Sequence, residues 1–208
     1  MIDQATLLTY LTILIGFVFI PGPAVILTLA RATGSGTRVG LSTALGIAVG
    51  DLVHTAMTVL GLSAIILASA FLFSVIKYLG AAYLVYLGIR AILDRSHLQL
   101  AGGLPSITPE RAFRQAVLAE VLNPKSALFF LAFLPQFVDP ANGSVALQLS
   151  VLGVLFVAMG LLSTVAVALS AGGVGSFLRR HPAVLRWQGK VVGTIYCALG
   201  VRLALQEK

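Results

Sequence analysis

The chain has 208 residues, of which 58% are hydrophobic and only 10% are charged, and its mean hydropathy is +1.00. Soluble domains carry roughly 25% charged residues, so this composition excludes an ordinary soluble protein and predicts an integral membrane protein. The net charge of +7 would suggest a nucleic-acid partner in a soluble chain, but its distribution among apolar stretches indicates membrane topology, and we expect no nucleic-acid partner.

A crossing needs about 20 mostly apolar residues, and six stretches of the chain meet this requirement. They are residues 5–30, 39–67, 70–93, 113–135, 145–172 and 187–205. We therefore predict an all-α polytopic membrane protein in which residues 1–208 form one membrane domain with a cytoplasmic loop at about 94–112. Within this loop, Thr108 is a candidate helix cap and Pro109 a candidate first helical residue. The single cysteine, Cys197, allows no intrachain disulfide and no zinc-type spacing occurs, so we expect no metal site and no cofactor.

The first stretch is interrupted near its centre by FIPGPAVI, residues 19–26. Proline lacks an N–H and clashes with the preceding turn, so Pro21 and Pro23 free backbone carbonyls, and Gly22 adds flexibility. Irregular backbone at membrane depth is tolerated where it is buried in protein or lines a cavity. The break therefore predicts a place where freed carbonyls and half-helix ends bind a polar substrate group. A packing kink is the alternative interpretation.

The second stretch carries ionisable residues at membrane depth, Asp51 and His54. Together with Thr55 and Thr58 they follow helical i, i+3, i+4, i+7 spacing, which predicts one polar stripe. Such residues usually face the bundle interior and mark ion or substrate paths. The alternatives are a structural bond from Asp51 to a neighbouring helix and an interhelical hydrogen bond from His54.

The fourth stretch repeats the pattern of the first. Glu120 comes one turn before Asn123, Pro124 and Lys125, so a second proline break lies beside a second carboxyl group. We predict that this break also contributes to a substrate site. Glu120 and Lys125 could instead lie near a membrane interface, with Lys125 extending its amine toward water.

The two halves of the chain contain related segments. Residues 77–90 read KYLGAAYLVYLGIR and residues 190–202 read KVVGTIYCALGVR, while Pro23 in IPGPAVILTLA aligns with Pro124 in LNPKSALFFLA. Each half holds three predicted crossings, so the second half must lie upside down relative to the first. This predicts two inverted three-helix repeats, residues 1–95 and 110–208, with Pro-broken helices 1 and 4. Chance similarity between Gly-rich helices is the alternative.

Most of the 14 Lys and Arg residues fall at alternate connections between the predicted spans. These residues are Arg31, Arg38, Arg90, Arg95, Arg111, Arg114, Arg179, Arg180, Arg186 and Lys190. By the positive-inside rule these connections are cytoplasmic, so both termini are predicted outside. The Gly40, Gly46 and Gly50 stretch is interpreted as helix packing, and Gly-rich faces of this kind also allow a homodimer.

These motifs together resemble those of the LysE/RhtB family of bacterial amino-acid exporters, over nearly the whole chain. The resemblance is carried by the PGP motif at 21–23, the Gly-rich stretch ending at Asp51, the segment from Lys77 to Arg90, and NPKSALFFLAFLPQFV from Asn123 to Val138. It implies export of amino acids from the cytoplasm across the bacterial inner membrane, driven by the proton-motive force. Neutral substrates such as homoserine, threonine or leucine are favoured over dibasic ones.

The mechanism expected on this basis is proton antiport with alternating access. The substrate carboxylate would lie at a half-helix end at 22–24 or 124–126, with Lys125 as a further cationic partner, and the ammonium would face Asp51. Protonation of Asp51 from outside would release the ammonium, and Glu120 is the second proton-coupling candidate. No nucleophile or metalloprotease motif indicates an enzyme. A metal-ion or other small-metabolite exporter and a passive channel remain as alternatives.

Overall fold

The computed structural model describes residues 2–19, 22–93, 106–180 and 182–205, and no strand occurs among them. The α-helices are α1 (Gln4–Phe19), α2 (Pro23–Ser35), α3 (Thr37–Met57), α4 (Ser63–Ala68), α5 (Ala70–Leu93), α6 (Pro109–Val121), α7 (Pro124–Leu128), α8 (Val145–Arg180) and α9 (Pro182–Leu205). Short π-helical turns lie at Thr58–Leu62 and Phe129–Phe133, and 3-10 turns at Leu134–Phe137 and Pro140–Asn142. The predicted all-α class is confirmed.

Three helical stretches in the described part of the chain are long and apolar enough to cross a bilayer without a break. They are Thr37–Ile65, Phe71–Leu93 and Val145–Gly173. Two bent stretches meet the same requirement as pairs: α1 with α2, bent by 46°, and Pro109–Val121 with Pro124–Phe137, bent by 43°. If each bent pair is one crossing, the described residues contain up to five crossings.

The sixth predicted crossing, residues 187–205, lies within α9. Within the described residues, the apolar stretch of this helix is Gly193–Leu205, which is shorter than the other stretches. Its first turns carry Gln188 and Lys190, and these polar side chains lower the hydropathy of any window that is long enough to span. The arrangement with six crossings therefore stays a prediction.

Both bends lie at the predicted prolines. Helix α2 begins at Pro23 after Gly22, and α7 begins at Pro124 after Asn123, whose side chain accepts a hydrogen bond from the Lys125 N–H at 3.0 Å. A proline in the first turn of a helix costs that helix nothing, because the missing N–H has no helical partner there. Pro21 lies outside the described residues, as does most of the predicted loop at 94–112.

Helix α6 begins as its sequence predicts. The Thr108 side chain accepts a hydrogen bond from the Arg111 N–H at 3.3 Å, and Pro109 occupies the first helical position. This cap satisfies one of the N–H groups that every helix start leaves without a partner.

Helix α3 packs closely against two neighbours through its glycines. A Cβ on Gly50 would lie 2.5 Å from the Cβ of Glu120 on α6, and a Cβ on Gly40 would lie 2.5 Å from the Cβ of Ala32 on α2. Gly46 lies against Phe113 and Ala116 of α6 in the same way. The interpretation of these glycines as packing positions is confirmed. Gly46 and Gly50 contact successive turns of α6 in the same chain direction, so α3 and α6 run parallel.

Helices α5 and α9 carry the two related segments and pack against each other. Gly88 faces Gly193, whereas Gly200 faces Ala81 and Leu84. Later residues of α9 therefore contact earlier residues of α5, so the two helices are antiparallel. Their glycines are thus used in packing within the chain, and the homodimer stays a prediction.

A cluster of aromatic side chains forms the largest core and joins α1 to the chain after α7 and to α8. Its buried members include Tyr10, Phe17, Phe129, Phe130, Phe133, Phe137, Phe156 and Tyr196. The Tyr10 hydroxyl donates a hydrogen bond of 2.7 Å to the Leu152 carbonyl. This core fixes the position of the first bent pair against the second.

Candidate functional site

A cavity of about 40 Å³ lies where the two helix breaks meet. A volume of this size holds a few water molecules, and a larger occupant requires its walls to move. Its polar and charged lining is Asp51, Glu120, Asn123, Lys125, Ser126, Ser163 and Thr164, and the remaining wall is Phe17, Val18, Gly22, Pro23, Ala24, Val25, Ile47, Phe156 and Gly160.

The first break exposes the carbonyl of Phe17. In an unbroken helix this carbonyl would accept from the N–H of residue 21, which is a proline and has none. The Lys125 ammonium takes that role, with Nζ 3.3 Å from the Phe17 oxygen. Nζ also lies 4.2 Å from the centre of the Phe17 ring and 5.9 Å from that of Tyr196, which are distances at which aromatic faces attract a cation.

Two further details complete the first break. A Cβ on Gly22 would lie 2.9 Å from the Lys125 Nζ, so the absence of a side chain at 22 makes room for the ammonium. The Ser163 hydroxyl of α8 donates to the Val18 carbonyl at 3.3 Å. Side chains from the second half of the chain therefore supply donors to both carbonyls.

The second break exposes the carbonyl of Glu120, whose helical partner would be Pro124. The Asn123 N–H lies 2.9 Å from this oxygen and the His54 Nε2 lies 3.0 Å from it. A carbonyl only accepts, so Nε2 carries the hydrogen. The His54 ring stacks on Phe130 with 5.6 Å between ring centres. The interhelical hydrogen bond considered for His54 is present.

The carboxyl group of Glu120 accepts hydrogen bonds from residues that follow it closely in the chain. The Asn123 amide donates to Oε1 at 3.0 Å and to Oε2 at 3.2 Å, and the Ser126 hydroxyl donates to Oε1. Glu120 is only 3% exposed. Three hydrogen bonds from two donor groups compensate a buried carboxylate for much of the water that it has lost.

Asp51 is equally buried, at 3% exposed, but its surroundings differ. Its Oδ1 atom is buried and has no hydrogen-bond partner among the described residues. The carboxyl group lies close enough to that of Glu120 for a side-chain hydrogen bond as well as charge repulsion, and it attracts the Lys125 ammonium. A Cβ on Gly160 would lie 3.6 Å from Oδ2. Buried polar atoms are nearly always bonded, so this oxygen marks a position where a donor can bind.

The structure brings most of the sequence-predicted site residues to this one cavity. Those that line it are Gly22, Pro23, Asp51, Glu120, Asn123 and Lys125. Pro124 is the first residue of α7 and is not part of the lining, and His54 contacts the Glu120 carbonyl from outside the lining. The polar stripe of Asp51, His54, Thr55 and Thr58 is buried along its length, as predicted.

Sequence reasoning included Ser126 only as the end of the predicted half-helix start at 124–126, and it missed Ser163 and Thr164 together with the aromatic wall. The adjacent Ser163 and Thr164 interrupt an apolar run in α8, and this polar pair was the available signal. The aromatic residues gave none, because Phe17 and Phe156 look like any core positions. Within the described ranges, no group of three or more His, Cys, Asp or Glu side chains is arranged to hold a metal ion.

The amino-acid sequence matches a known family of proteins. The model of the LysE type translocator family matches residues 15–207. An uncharacterized membrane protein of Vibrio cholerae is 31% identical over 197 residues, which cover 95% of each chain. The uncharacterized membrane protein YrhP of Bacillus subtilis is 35% identical over 167 residues, covering 76% of this chain and 79% of the relative.

A leucine efflux protein of Salmonella typhimurium is 26% identical over 208 residues, which cover 98% of each chain. No solved structure matches the chain. Since the family model covers nearly the entire sequence and relatives above 30% identity are matched along most of their length, this chain belongs to the LysE family of membrane translocators.

Proposed function

We propose that this protein exports neutral amino acids from the bacterial cytoplasm by proton antiport. The observation that carries the proposal is the Asp51 carboxyl group, which is buried, lacks a hydrogen-bond partner at Oδ1 and lines a polar cavity between two broken helices. An ammonium group is the donor that such a carboxylate binds most strongly. The family and its leucine efflux members support an amino-acid substrate.

The cavity has separate places for the parts of a zwitterion. The substrate ammonium faces Asp51, and the substrate carboxylate lies at the start of α2, beside the N–H groups of Ala24 and Val25 and near the Lys125 ammonium. Gly22 offers no side-chain cap to these N–H groups, and a helix start favours an anion. The apolar wall of Val18, Ile47 and Phe156 suits an aliphatic side chain.

The same geometry suits proton coupling. Asp51 and Glu120 lie close enough to interact, and two ionised carboxylates side by side in a low dielectric repel each other. A substrate ammonium or a proton relieves this repulsion, and either excludes the other. Protonation of Asp51 from the outside therefore releases the ammonium, while Glu120 remains the second proton-coupling group.

Alternating access follows from an inverted-repeat architecture. In this proposal residues 1–208 form one transporter domain of six crossings, with repeats at 1–95 and 110–208. The antiparallel packing of α5 on α9, the similar bends of 46° and 43°, and the capping of each break from the opposite half support it. Two such halves rock about a site between them.

The proposal places the protein in the inner membrane with both termini outside. The basic connections would then be cytoplasmic. The Arg31 guanidinium donates a hydrogen bond of 2.8 Å to the Gln115 side-chain oxygen, so α2 and α6 are joined at the end that carries Arg31, Arg38, Arg111 and Arg114. This contact suits a conformation that is closed toward the cytoplasm.

Efflux from proteoliposomes preloaded with labelled amino acids tests the proposal. Wild type is expected to release neutral aliphatic amino acids faster when a proton gradient is imposed. Asp51→Asn should lose this gradient-dependent release, because an amide neither carries the proton nor attracts the ammonium. Asp139→Asn is the matched control, since Asp139 lies at the exposed 3-10 turn and an amide oxygen can still accept from the Ala141 N–H.

Each contrary result has its own meaning. Wild-type rate and pH dependence in Asp51→Asn would remove the role of Asp51. Release of neutral amino acids without any response to the gradient would favour a passive channel. No release of any amino acid by wild type would remove the substrate assignment, and metal ions and other metabolites would then be tested.

A further inference from the structure

The proposed antiport uses the Lys125 ammonium only as a neighbour of the substrate carboxylate. Its contacts are the Phe17 carbonyl and the ring faces of Phe17 and Tyr196. The carboxyl groups of Asp51 and Glu120 attract it at longer range. The ammonium therefore occupies a position of its own inside the cavity, built by the first broken helix.

That position is shaped for a single ammonium group. Its carbonyl lacks a helical donor because residue 21 is a proline, its walls are aromatic faces, and Gly22 leaves the space that Nζ fills. Carbonyl oxygens and aromatic faces together bind primary ammonium groups in general, not lysine side chains in particular. A substrate with a cationic side chain would seek this position.

Among the described residues that line the cavity, Asp51 and Glu120 are the acids, and neither is free to neutralise a second substrate cation. Asp51 is the partner of the substrate's own α-ammonium in the proposed function, and Glu120 is engaged by Asn123 and Ser126. A dibasic amino acid would bring its side-chain ammonium into a low-dielectric cavity that already holds Lys125. Like charges this close, without a free counter-ion, oppose binding strongly.

We infer that Lys125 is a specificity-determining residue, whose ammonium occupies the position that a cationic substrate side chain would need and so restricts transport to amino acids with uncharged side chains. This inference rests on the proposed function. It assigns to Lys125 a task beyond contact with the substrate carboxylate, since that contact is common to neutral and dibasic substrates.

Lysine and norleucine form the ligand pair that isolates this effect, because they share the α-carbon groups and an unbranched chain and differ at the terminal ammonium. Competition by each against labelled leucine is measured in proteoliposomes. Wild type is expected to accept norleucine and to reject lysine. Equal competition by the two in wild type overturns the inference, while competition by neither and no leucine transport overturns the proposed function instead.

The Lys125→Met variant tests the residue itself. Methionine keeps an unbranched chain, removes the charge and leaves the Phe17 carbonyl free to accept from a substrate ammonium. The ratio of lysine to norleucine competition should rise by about tenfold or more, which is the factor expected from one hydrogen bond to a charged group. Loss of the Lys125 charge also weakens binding of the substrate carboxylate. This effect reduces competition by lysine and by norleucine equally, so it leaves their ratio unaffected.

Lys77→Met is the matched control. Lys77 is also a buried lysine, 7% exposed, but it belongs to α5, which contributes no described residue to the cavity lining. Its ratio should stay at the wild-type value, as should that of Lys125→Arg, which keeps the charge. If Lys125→Met transports neither ligand, Lys125→Gln takes its place, and an unchanged ratio in the neutral variants overturns the inference.

Discussion

Each proline break leaves a main-chain carbonyl without its helical donor, and a side chain from the other half of the chain supplies one. Lys125 donates to Phe17, and His54 donates to Glu120. Each unsatisfied carbonyl in the lipid interior costs roughly several kcal/mol, so these two contacts allow the breaks to persist. The same contacts hold the charged groups of the cavity in place, which links the stability of the fold to the site.

His54 is expected to stabilise the second break without binding substrate. His54→Leu removes one of two donors to the Glu120 carbonyl, and because the Asn123 N–H remains, the loss should be about 0.5–1.5 kcal/mol, the net value of one hydrogen bond. The thermal unfolding midpoint in detergent should fall accordingly. His54→Gln retains an amide donor and should recover part of the loss.

The pH profile of efflux separates this structural role of His54 from direct participation in proton transfer. If His54 only positions Glu120, His54→Gln should keep the wild-type pH profile of efflux. A shifted pH profile in His54→Gln, with stability retained, would show instead that His54 itself exchanges protons during transport.

At the scale of helices, close approach of α3 to α6 brings the two carboxyl groups together. Gly50 lies one residue before Asp51 and directly against Glu120, so the distance between these helices sets the distance between the carboxyls. Small residues permit this approach, because van der Waals packing rather than the hydrophobic effect holds helices together in lipid. The Gly-rich composition of α3 is therefore tied to function through the geometry of the site.

Gly50→Ala should separate α3 from α6. The added Cβ would lie 2.5 Å from the Glu120 Cβ and 3.2 Å from the Val117 carbonyl, so backbone must move, at a cost of about 1–3 kcal/mol for such overpacking. The thermal unfolding midpoint in detergent and the rate of gradient-driven efflux should both decrease. Gly172→Ala in α8 is the control, since a Cβ there meets nothing within 4 Å.

A neutral result for Gly50→Ala would contradict the packing of α3 on α6 described above. The control variant should equal wild type or exceed it slightly, because alanine favours a helix by about 0.8–1.0 kcal/mol over glycine. Comparing the two variants therefore removes the general effect of glycine replacement.

At the scale of the whole molecule, the number of crossings decides whether the two halves are inverted. Among the described residues five stretches qualify when each bent pair is one crossing, and α9 adds a shorter apolar stretch, Gly193–Leu205. Six crossings place the termini on the same side of the membrane, whereas five place them on opposite sides. The antiparallel contact of α5 with α9 favours six, because α9 then lies beside a helix that is itself long and apolar enough to cross the bilayer.

Reporter fusions measure this directly. A periplasm-active phosphatase fused after residue 208 should be active, and the same enzyme fused after Arg38 should be inactive, because positively charged connections stay in the cytoplasm. An N-terminal fusion should agree with the C-terminal one. Opposite locations of the two termini would mean an odd number of crossings and would remove the inverted repeat.

Much of this protein follows from its sequence alone. The apolar stretches predict the described helices, the prolines at 23 and 124 predict where two of them begin again after a bend, and Thr108 with Pro109 predicts the start of α6. These features are local: hydropathy, missing N–H groups and caps act within one or two turns. The polar residues at membrane depth also identify the cavity, because an ionisable group in lipid is costly unless it faces the interior.

Only the tertiary structure decided which partners these residues have. That Lys125 caps the break at Phe17, that His54 caps the break at Glu120, and that Asp51 is left without a donor at Oδ1 depend on contacts between residues far apart in the chain. Ser163 and the aromatic wall join the site for the same reason. Local patterns determine where helices form and bend, but the packing of one helix on another determines which freed groups are satisfied and which remain available to a substrate.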